Sequence, residues 1–484
     1  MLNFNNHTRN TLYNLIGFVI PMIVAIIAIP QLIEVLGVER FGVLTIAWMV
    51  IGYFSFLNLG IGRATTKLLA ESIAHEKYDK IRNTLYSSIL LLFIGGSLGC
   101  LIIQIISPIL VYSFLEIPND LTSEAITSLR LLGLTLPFVL GSEGFRGALE
   151  AQDRFGLVNA VKIPASIANF ALPLIIIQYS NSLVLVVTTI SVARLFFFFV
   201  YMAFCINSIA IYPKIKFSFI RSFKRLLSFG GWVSISSIVN PIMTYLDRFF
   251  IGSTLGIAAV TYYSVPYDFV MKLLVISGSL TIAVFPTFSG YSGPKNYKIL
   301  KTYRDSLFVV ALVMSTITII GISLTGILLE LWLGYDFAQK STLLTQILLV
   351  GVYINSLAGI PFSFIQAAGR PDITAKLHLI ELPFYLFLLF TLTPRLGLVG
   401  VSAAWSIRVI VDSILLFYMS EKLFLAKSDV SFNFKYVPIL IFTAMIIIIV
   451  CSVLKLDIYY NCAILFLCLS FIFFIFLKRE FILS

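Results

Sequence analysis

The sequence predicts an all-α polytopic membrane protein with fourteen transmembrane helices. They form two six-helix lobes, related by a pseudo-two-fold axis along the membrane normal, plus two C-terminal helices. Three observations predict this. Hydrophobic residues make up 59% of the 484-residue chain and charged residues only 12%, with a mean hydropathy of +1.00; soluble domains are roughly 45–50% apolar and 25% charged. Apolar runs long enough to cross a bilayer, about 20 residues each, recur along the whole chain. Lysine and arginine alternate between the connections that join these runs. Such a composition excludes an ordinary soluble enzyme, whose surface needs more charge, and a disordered chain, which needs low hydrophobicity.

The spans fall near residues 12–33, 41–60, 83–107, 124–146, 157–179 and 183–206 in the first lobe. The second lobe takes 229–251, 258–286, 304–332, 341–367, 377–394 and 397–419. Two further spans, 436–454 and 460–477, complete the set. The lobes therefore cover 1–210 and 211–425, with 426–484 carrying the last two helices. The turns inside 157–206 and 377–419 are short enough to demand tight helical hairpins. The first apolar run is longer than a signal-peptide h-region and is expected to remain as a helix.

With a cytoplasmic N-terminus, the outer connections hold only Arg40, Lys340, Arg395 and Lys455. Six bases lie within spans, and the other 24 of 34 sit on the inner side. This bias fixes both termini as cytoplasmic by the positive-inside rule. The net charge of +11 is thus mostly orientation, and no nucleic-acid partner is expected. No connection is long enough for an extramembrane catalytic domain. There is no P-loop, dinucleotide fingerprint or zinc motif, so no enzymatic activity, resident cofactor or metal is expected. The five cysteines lie in or beside apolar runs without a Cys-x-x-Cys pair, which fits packing rather than a disulfide framework. His7, His75 and His378 are too scattered for a metal cluster.

An internal repeat underlies the two lobes. Ala151-Gln152-Asp153-Arg154-Phe155-Gly156-Leu157 matches Ala367-Ala368-Gly369-Arg370-Pro371-Asp372-Ile373 at an offset of 216. Lys162 faces His378 at that offset, and Ser191-Val192-Ala193-Arg194 matches Trp405-Ser406-Ile407-Arg408 at 214. Pro21 matches Pro241, and Leu36-Gly37-Val38 matches Leu255-Gly256-Ile257. An even number of spans per repeat gives both halves one orientation, with a cavity between them.

Further segments carry a family likeness: Asn58-Leu59-Gly60-Ile61-Gly62-Arg63, Tyr245-Leu246-Asp247-Arg248-Phe249-Phe250-Ile251-Gly252, and Leu396-Gly397-Leu398-Val399-Gly400-Val401-Ser402-Ala403-Ala404-Trp405. With them, the chain resembles the multidrug/oligosaccharidyl-lipid/polysaccharide exporter superfamily, and within it the polysaccharide-repeat-unit (O-antigen, Wzx-type) flippases. The resemblance covers about residues 8–425 and the last two helices. It implies translocation of undecaprenyl-pyrophosphate-linked oligosaccharide from the inner to the outer leaflet of a bacterial inner membrane. It also implies membrane lipid and other polysaccharide-assembly proteins as partners. The rival readings are a lipid II flippase, a cation-coupled multidrug exporter of the same superfamily, and a non-transporting scaffold, which would need no intramembrane charges.

A charge in the hydrocarbon is costly and should face a cavity or a partner. The six intramembrane bases are Arg130, Lys162, Arg194, Arg248, Lys272 and Arg408. Lys162, near an inner helix end, fits a snorkelling anchor; Arg130 and Arg248 fit either an anchor or a cavity lining. Arg408 with Asp412, and Asp268 with Lys272, are spaced to pair along one helix face. Arg194 lies at mid-helix with no local acid. Arginine's planar fork suits phosphate oxygens, so Arg194 and Arg408, with Arg130, Lys272 and Arg248, are the expected substrate contacts. Arg63 heads a basic helix face with Lys67, either a positive-inside anchor or a recruiter of anionic head groups. Coupling to H⁺ or Na⁺ would need a buried acid; Glu143, Asp247, Asp268, Glu381 and Asp412 qualify. Nine intraspan prolines, among them Pro137 and Pro266, supply bends for alternating access or for static shape.

Overall fold

The structure is a computed structural model that describes residues 4–58, 61–74, 78–152, 154–208, 243, 245–289 and 297–422. The expected lobe boundary at 210, most of the seventh span and the two C-terminal spans lie outside these residues. Among the described residues, nine helices are long and apolar enough to cross a membrane. The chain divides into two compact units, Met1–Thr261 and Tyr262–Ser484.

In the first unit, α1 (Phe4–Phe54) joins the two expected spans without a loop, through a kink at Gly37 (φ 80°, ψ 159°). The left-handed φ is available to glycine at no steric cost, so the turn needs one residue only. After a short 3₁₀ turn come α2 (Ile61–Ala74) and α3 (Tyr78–Ile109). The fourth expected span is broken: α4 (Thr122–Leu134) stops at Thr135, and α5 (Leu136–Glu150) starts with Pro137 in its first turn. Proline is accommodated there because the first-turn N–H groups have no helical acceptor. Helices α6 (Phe155–Ile176) and α7 (Leu183–Ser208) form the expected tight hairpin.

Residues 245–254 are helical, and Gly256 turns the chain with φ 85°, as Gly37 does. The turn docks within its own unit. Gly42 lies against the Ile257 carbonyl so closely that a Cβ would overlap it. Beside it the Thr261 hydroxyl donates to Val38 O at 2.7 Å. Another tie gathers three helix ends. Glu124 in the first turn of α4 accepts from Arg40 Nε at 2.8 Å and from the Leu183 N–H at 2.6 Å. Farther along α7, Phe198 sits among Phe93 of α3 and Phe138 and Phe145 of α5, with ring centroids 5.3–5.9 Å from its own. A buried cluster of Leu69, Leu85, Leu149 and Val158 extends this packing.

The second unit begins inside α8 (Ile257–Met271), which leads to α9 (Leu274–Ser289). The eighth expected span is therefore also two helices. Between them, Lys272 N–H and Leu273 N–H bond three residues back, to Phe269 O and Val270 O, so the backbone tightens and the i,i+4 face is lost. Helices α10 (Tyr297–Leu333) and α11 (Tyr335–Ala367) pack along their lengths. Helices α12 (Pro371–Leu396) and α13 (Leu398–Ser420) are separated by Gly397 alone (φ 59°). Gly400 sits on the Leu392 carbonyl, where a Cβ would overlap backbone. The Arg154 and Arg370 turns share one backbone pattern: Arg154 N–H bonds Leu149 O at 3.0 Å, and Arg370 N–H bonds Ile365 O at 3.1 Å.

The exposed faces are apolar. Along α3, Ile94, Leu98, Leu101 and Ile105 form a stripe at helical spacing and are 51–69% exposed. In water this stripe would be the buried face; exposed, it marks a helix solvated by lipid. Serine and threonine hydroxyls instead turn inward or onto their own helix, as Thr65 to Ile61 O, Ser88 to Thr84 O and Thr318 to Met314 O. Such back-bonding satisfies the hydroxyl where no water is available. The chain is thus a multi-pass membrane protein.

The α12–α13 hairpin depends on the backbone approach at Gly400. Gly400→Ala should lower thermal stability in detergent by about 1–3 kcal/mol, the usual cost of overpacking. Gly156→Ala, where a Cβ meets nothing within 4 Å, should be near neutral. Equal melting temperatures for the two variants would refute the contact.

Candidate functional site

Within the spans, one polar site in each unit bears on function. The first is built on Arg194. It lies eleven residues into α7, about 17 Å along the axis at 1.5 Å per residue, well inside the hydrocarbon. Its guanidinium Nη1 donates to the Thr135 hydroxyl at 3.3 Å, and no carboxylate lies within ion-pair distance among the described residues. Thr135 is the residue at which α4 and α5 break, and its hydroxyl donates in turn to Leu132 O at 2.6 Å. The helix break thus presents a neutral hydroxyl to a cation that would otherwise call for a carboxylate.

The second site lies on the α12–α13 hairpin. Glu381 is 2% exposed and Asp412 8%. Arg408 Nη1 is 3.5 Å from Glu381 Oε2, and His378 Nδ1 is 3.6 Å from the same oxygen. One ligating atom from each of His378, Glu381 and Asp412 falls within a span of 4.8 Å. The guanidinium stands over two rings, 5.5 Å from the Tyr385 centroid and 6.0 Å from that of Trp405. Cation–π attraction of this kind favours a desolvated arginine. Neither Glu381 oxygen has a hydrogen-bond partner of standard geometry, nor does Asp412 Oδ1.

The expected pairings are corrected here. Arg408 takes Glu381 of the neighbouring helix as its ion-pair partner; no ion pair with Asp412 forms at i,i+4 among the described residues. The reason is the hairpin, which brings a second carboxylate closer than the helix's own. No ion pair joins Asp268 to Lys272 either, because α8 ends at Met271 and Lys272 lies exposed in the turn. Arg130 is exposed on α4, and its carbonyl accepts from Gln104 Nε2 at 2.9 Å. Arg248 is buried at 4% beside a fully buried Asp247, with its guanidinium 5.8 Å from the Tyr245 centroid. Asp247 Oδ1 accepts the Arg248 backbone N–H at 2.7 Å. Glu143 is bridged to Arg146 at 2.5 Å, and Arg146 also reaches Glu150 at 3.3 Å. The Arg63 side chain lies outside the described residues.

Thr135, Tyr385 and the Glu381–Asp412 juxtaposition were not expected from the sequence. One signal could have found the last. Gly397 lies sixteen residues after Glu381 and fifteen before Asp412. Folding the hairpin at that glycine therefore sets the two acids at nearly one depth.

The family described as polysaccharide biosynthesis protein matches residues 7–292. The chain is 33% identical over 416 residues to a Shigella flexneri protein named "Putative O-antigen transporter", covering 86% of this chain and 98% of that one. It is 20% identical over 423 residues to the lipopolysaccharide biosynthesis protein WzxC of Escherichia coli (strain K12), covering 86% and 81%. Among solved structures, the lipid II flippase MurJ in an inward closed conformation matches with a TM-score of 0.69 at 15% identity, covering 98% of this chain and 100% of that one. An inward-facing multidrug resistance transporter of the MATE family matches at 0.64 and 15%, covering 85% and 94%. At such identities the structural likeness shows the fold.

The ion pair generates a test. Arg408→Met leaves Glu381 and Asp412 buried without their cation and should cost about 3 kcal/mol of stability. Adding Glu381→Gln in the same chain should recover most of that loss, measured by thermal unfolding in detergent. A stable Arg408→Met single variant would break the pairing.

Proposed function

This chain belongs to the polysaccharide biosynthesis protein family, a membrane transporter with the fold of known flippases, and from that premise we propose a specific substrate and direction. It flips undecaprenyl-pyrophosphate-linked oligosaccharide repeat units from the cytoplasmic to the outer leaflet of a bacterial inner membrane. Both termini are cytoplasmic, and the movement is alternating access without nucleotide hydrolysis.

One observation carries this reading: Arg194, a cation within the bilayer that is held by a hydroxyl and has no carboxylate within ion-pair distance among the described residues. An isolated cation at this depth is too costly to keep for shape alone. A pyrophosphate head group repays that cost with charge-assisted hydrogen bonds, and its charge suits a fixed guanidinium. An exporter of organic cations would need an acid, not a cation, at the Arg194 position; Glu381 of the second unit is itself held by Arg408. The relatives named for O-antigen transport and lipopolysaccharide biosynthesis support the same substrate class. Moving one negative charge outward across an inside-negative membrane releases about 2.3 kcal/mol per 100 mV, so the membrane potential can drive a polyanionic head group in the required direction.

In a strain lacking the gene, the wild-type chain should restore surface polysaccharide. Arg194→Ala should fail to do so while accumulating in the membrane, and Arg194→Lys should restore part of it, since a point charge keeps the attraction but not the two-pronged geometry. Normal polysaccharide with Arg194→Ala would remove this residue from the mechanism.

A further inference from the structure

The charges of the α12–α13 site do not balance, and the imbalance has a chemical meaning. Two carboxylates, Glu381 and Asp412, are buried together, while one guanidinium, Arg408, is in ion-pair distance of one of them. Asp412 has no ion-pair partner among the described residues. Buried like charges within a few ångströms cannot both ionise without compensation. Compensation is available as a metal cation, a charge on His378, or a proton held between the acids.

The surroundings choose among these. A metal ion seated on His378, Glu381 and Asp412 would stand next to a guanidinium only 3.5 Å from one of its ligands, and the repulsion in a low-dielectric site would be severe. A charge on His378 would fall first on Glu381, 3.6 Å away and already served by Arg408, and would reach Asp412 only from beyond ion-pair distance, within 4.8 Å. The helices around the site supply nothing else. Among the described residues, α11 carries Asp336 and Lys340 as its only charged groups, both in its first two turns, and its Tyr353 hydroxyl is neutral. From α8, the Tyr267 ring stacks edge-on against Trp405. Ser406 is committed to Ile347 O at 3.0 Å, and the Phe362 ring covers His378 at 6.1 Å.

We propose that Glu381 and Asp412 form a proton-binding site that holds one proton, on the Asp412 side, with Arg408 as the fixed counter-ion of Glu381. The coupling ion of this chain is then a proton and not a sodium ion, and Arg408 serves the coupling ion rather than the substrate. When the proton leaves, Asp412 becomes a second anion beside Glu381, and the two compete for Arg408. The three side chains bridge both arms of the hairpin, so this competition changes the forces between α12 and α13. The transport consequence rests on the flippase reading above; the proton site itself does not.

The test separates the two. Infrared spectra of the full-length protein in lipid vesicles should show a carboxylic-acid C=O band at neutral pH that disappears in alkaline buffer. Asp412→Asn should lose that band, and Arg194→Ala should keep it. Titrating wild-type protein with NaCl or CaCl₂ should leave the band in place. No band in the wild type, a band unchanged in Asp412→Asn, or a band abolished by sodium would each overturn the proposal. Should Asp412→Asn not accumulate, Asp412→Glu should keep a shifted band, and the salt titration of the wild type decides alone. In cells, wild-type export should fall when an electroneutral K⁺/H⁺ exchanger collapses the pH gradient and spares the membrane potential, and Asp412→Asn should lose that response. Wild-type export that is indifferent to the exchanger, with the infrared band present, would leave the proton site standing and strike its role in transport.

Discussion

Hydrocarbon does not solvate charge, and this single constraint organises the structure. A guanidinium or carboxylate placed there costs several kcal/mol unless something in the protein substitutes for water. Three described charges within the spans are met by distinct substitutes. Arg408 has a carboxylate and two ring faces, Glu143 has Arg146, and Arg194 has a threonine hydroxyl exposed by a helix break. The lipid-facing stripe of α3 is the same constraint seen from outside, since Ile94, Leu98, Leu101 and Ile105 face outward while Ser87, Ser88 and Ser107 are buried. The close glycine contacts belong here too. Hydrophobic burial does not drive helices together in lipid, so association relies on close packing, and Gly42 and Gly400 permit it by letting one helix rest on another's carbonyl.

The two arginines matched by the internal repeat show how one position serves two ends. Arg194 lies eleven residues into α7, and Arg408 ten residues into α13, so each holds nearly the same place along its own helix. Their partners differ in charge: one is a carboxylate, the other a neutral hydroxyl. α12 offers Glu381 to Arg408, whereas the helix that faces Arg194 offers a hydroxyl at a break. Neutralisation in one unit and its absence in the other are written in the neighbouring helix, not in the arginine. A reading of either arginine alone would assign them one role.

This is also where sequence reading reached its limit. The helices were legible because apolar length is a local property: 157–179 became Phe155–Ile176, and 397–419 became Leu398–Ser420. The left-handed turns at Gly37 and Gly256 were visible as a matched Leu-Gly pair. The breaks at Thr135 and Lys272 were not, because an apolar run reads the same whether or not its backbone is continuous. Pro137 marked the first break only as a bend. The pairing of Arg408 failed for a related reason. The i,i+4 rule sees one helix, and the hairpin supplied a nearer acid from another. Fifteen and sixteen residues on either side of Gly397 held that information, but only once the turn was known to be a single residue.

On the proposed reading of Arg194 as the head-group contact, a hydroxyl suits it better than a carboxylate because of what the residue must release. A transport site has to be favourable enough to enter and weak enough to leave. Hydrogen bonds with an ionised partner are roughly twice as strong as neutral ones. A carboxylate at the Thr135 position would satisfy the guanidinium so well that a phosphate would have to displace it, and the desolvated acid would then repel the incoming anion. A threonine hydroxyl keeps the guanidinium oriented, satisfies one of its five N–H donors, and leaves the rest of the planar fork for an arriving oxyanion. When the anion departs, the hydroxyl takes back a share of the cation's solvation. On that reading the helix break at Thr135 is part of the site's chemistry. It places a weak, neutral partner where the hydrocarbon would otherwise demand a strong one.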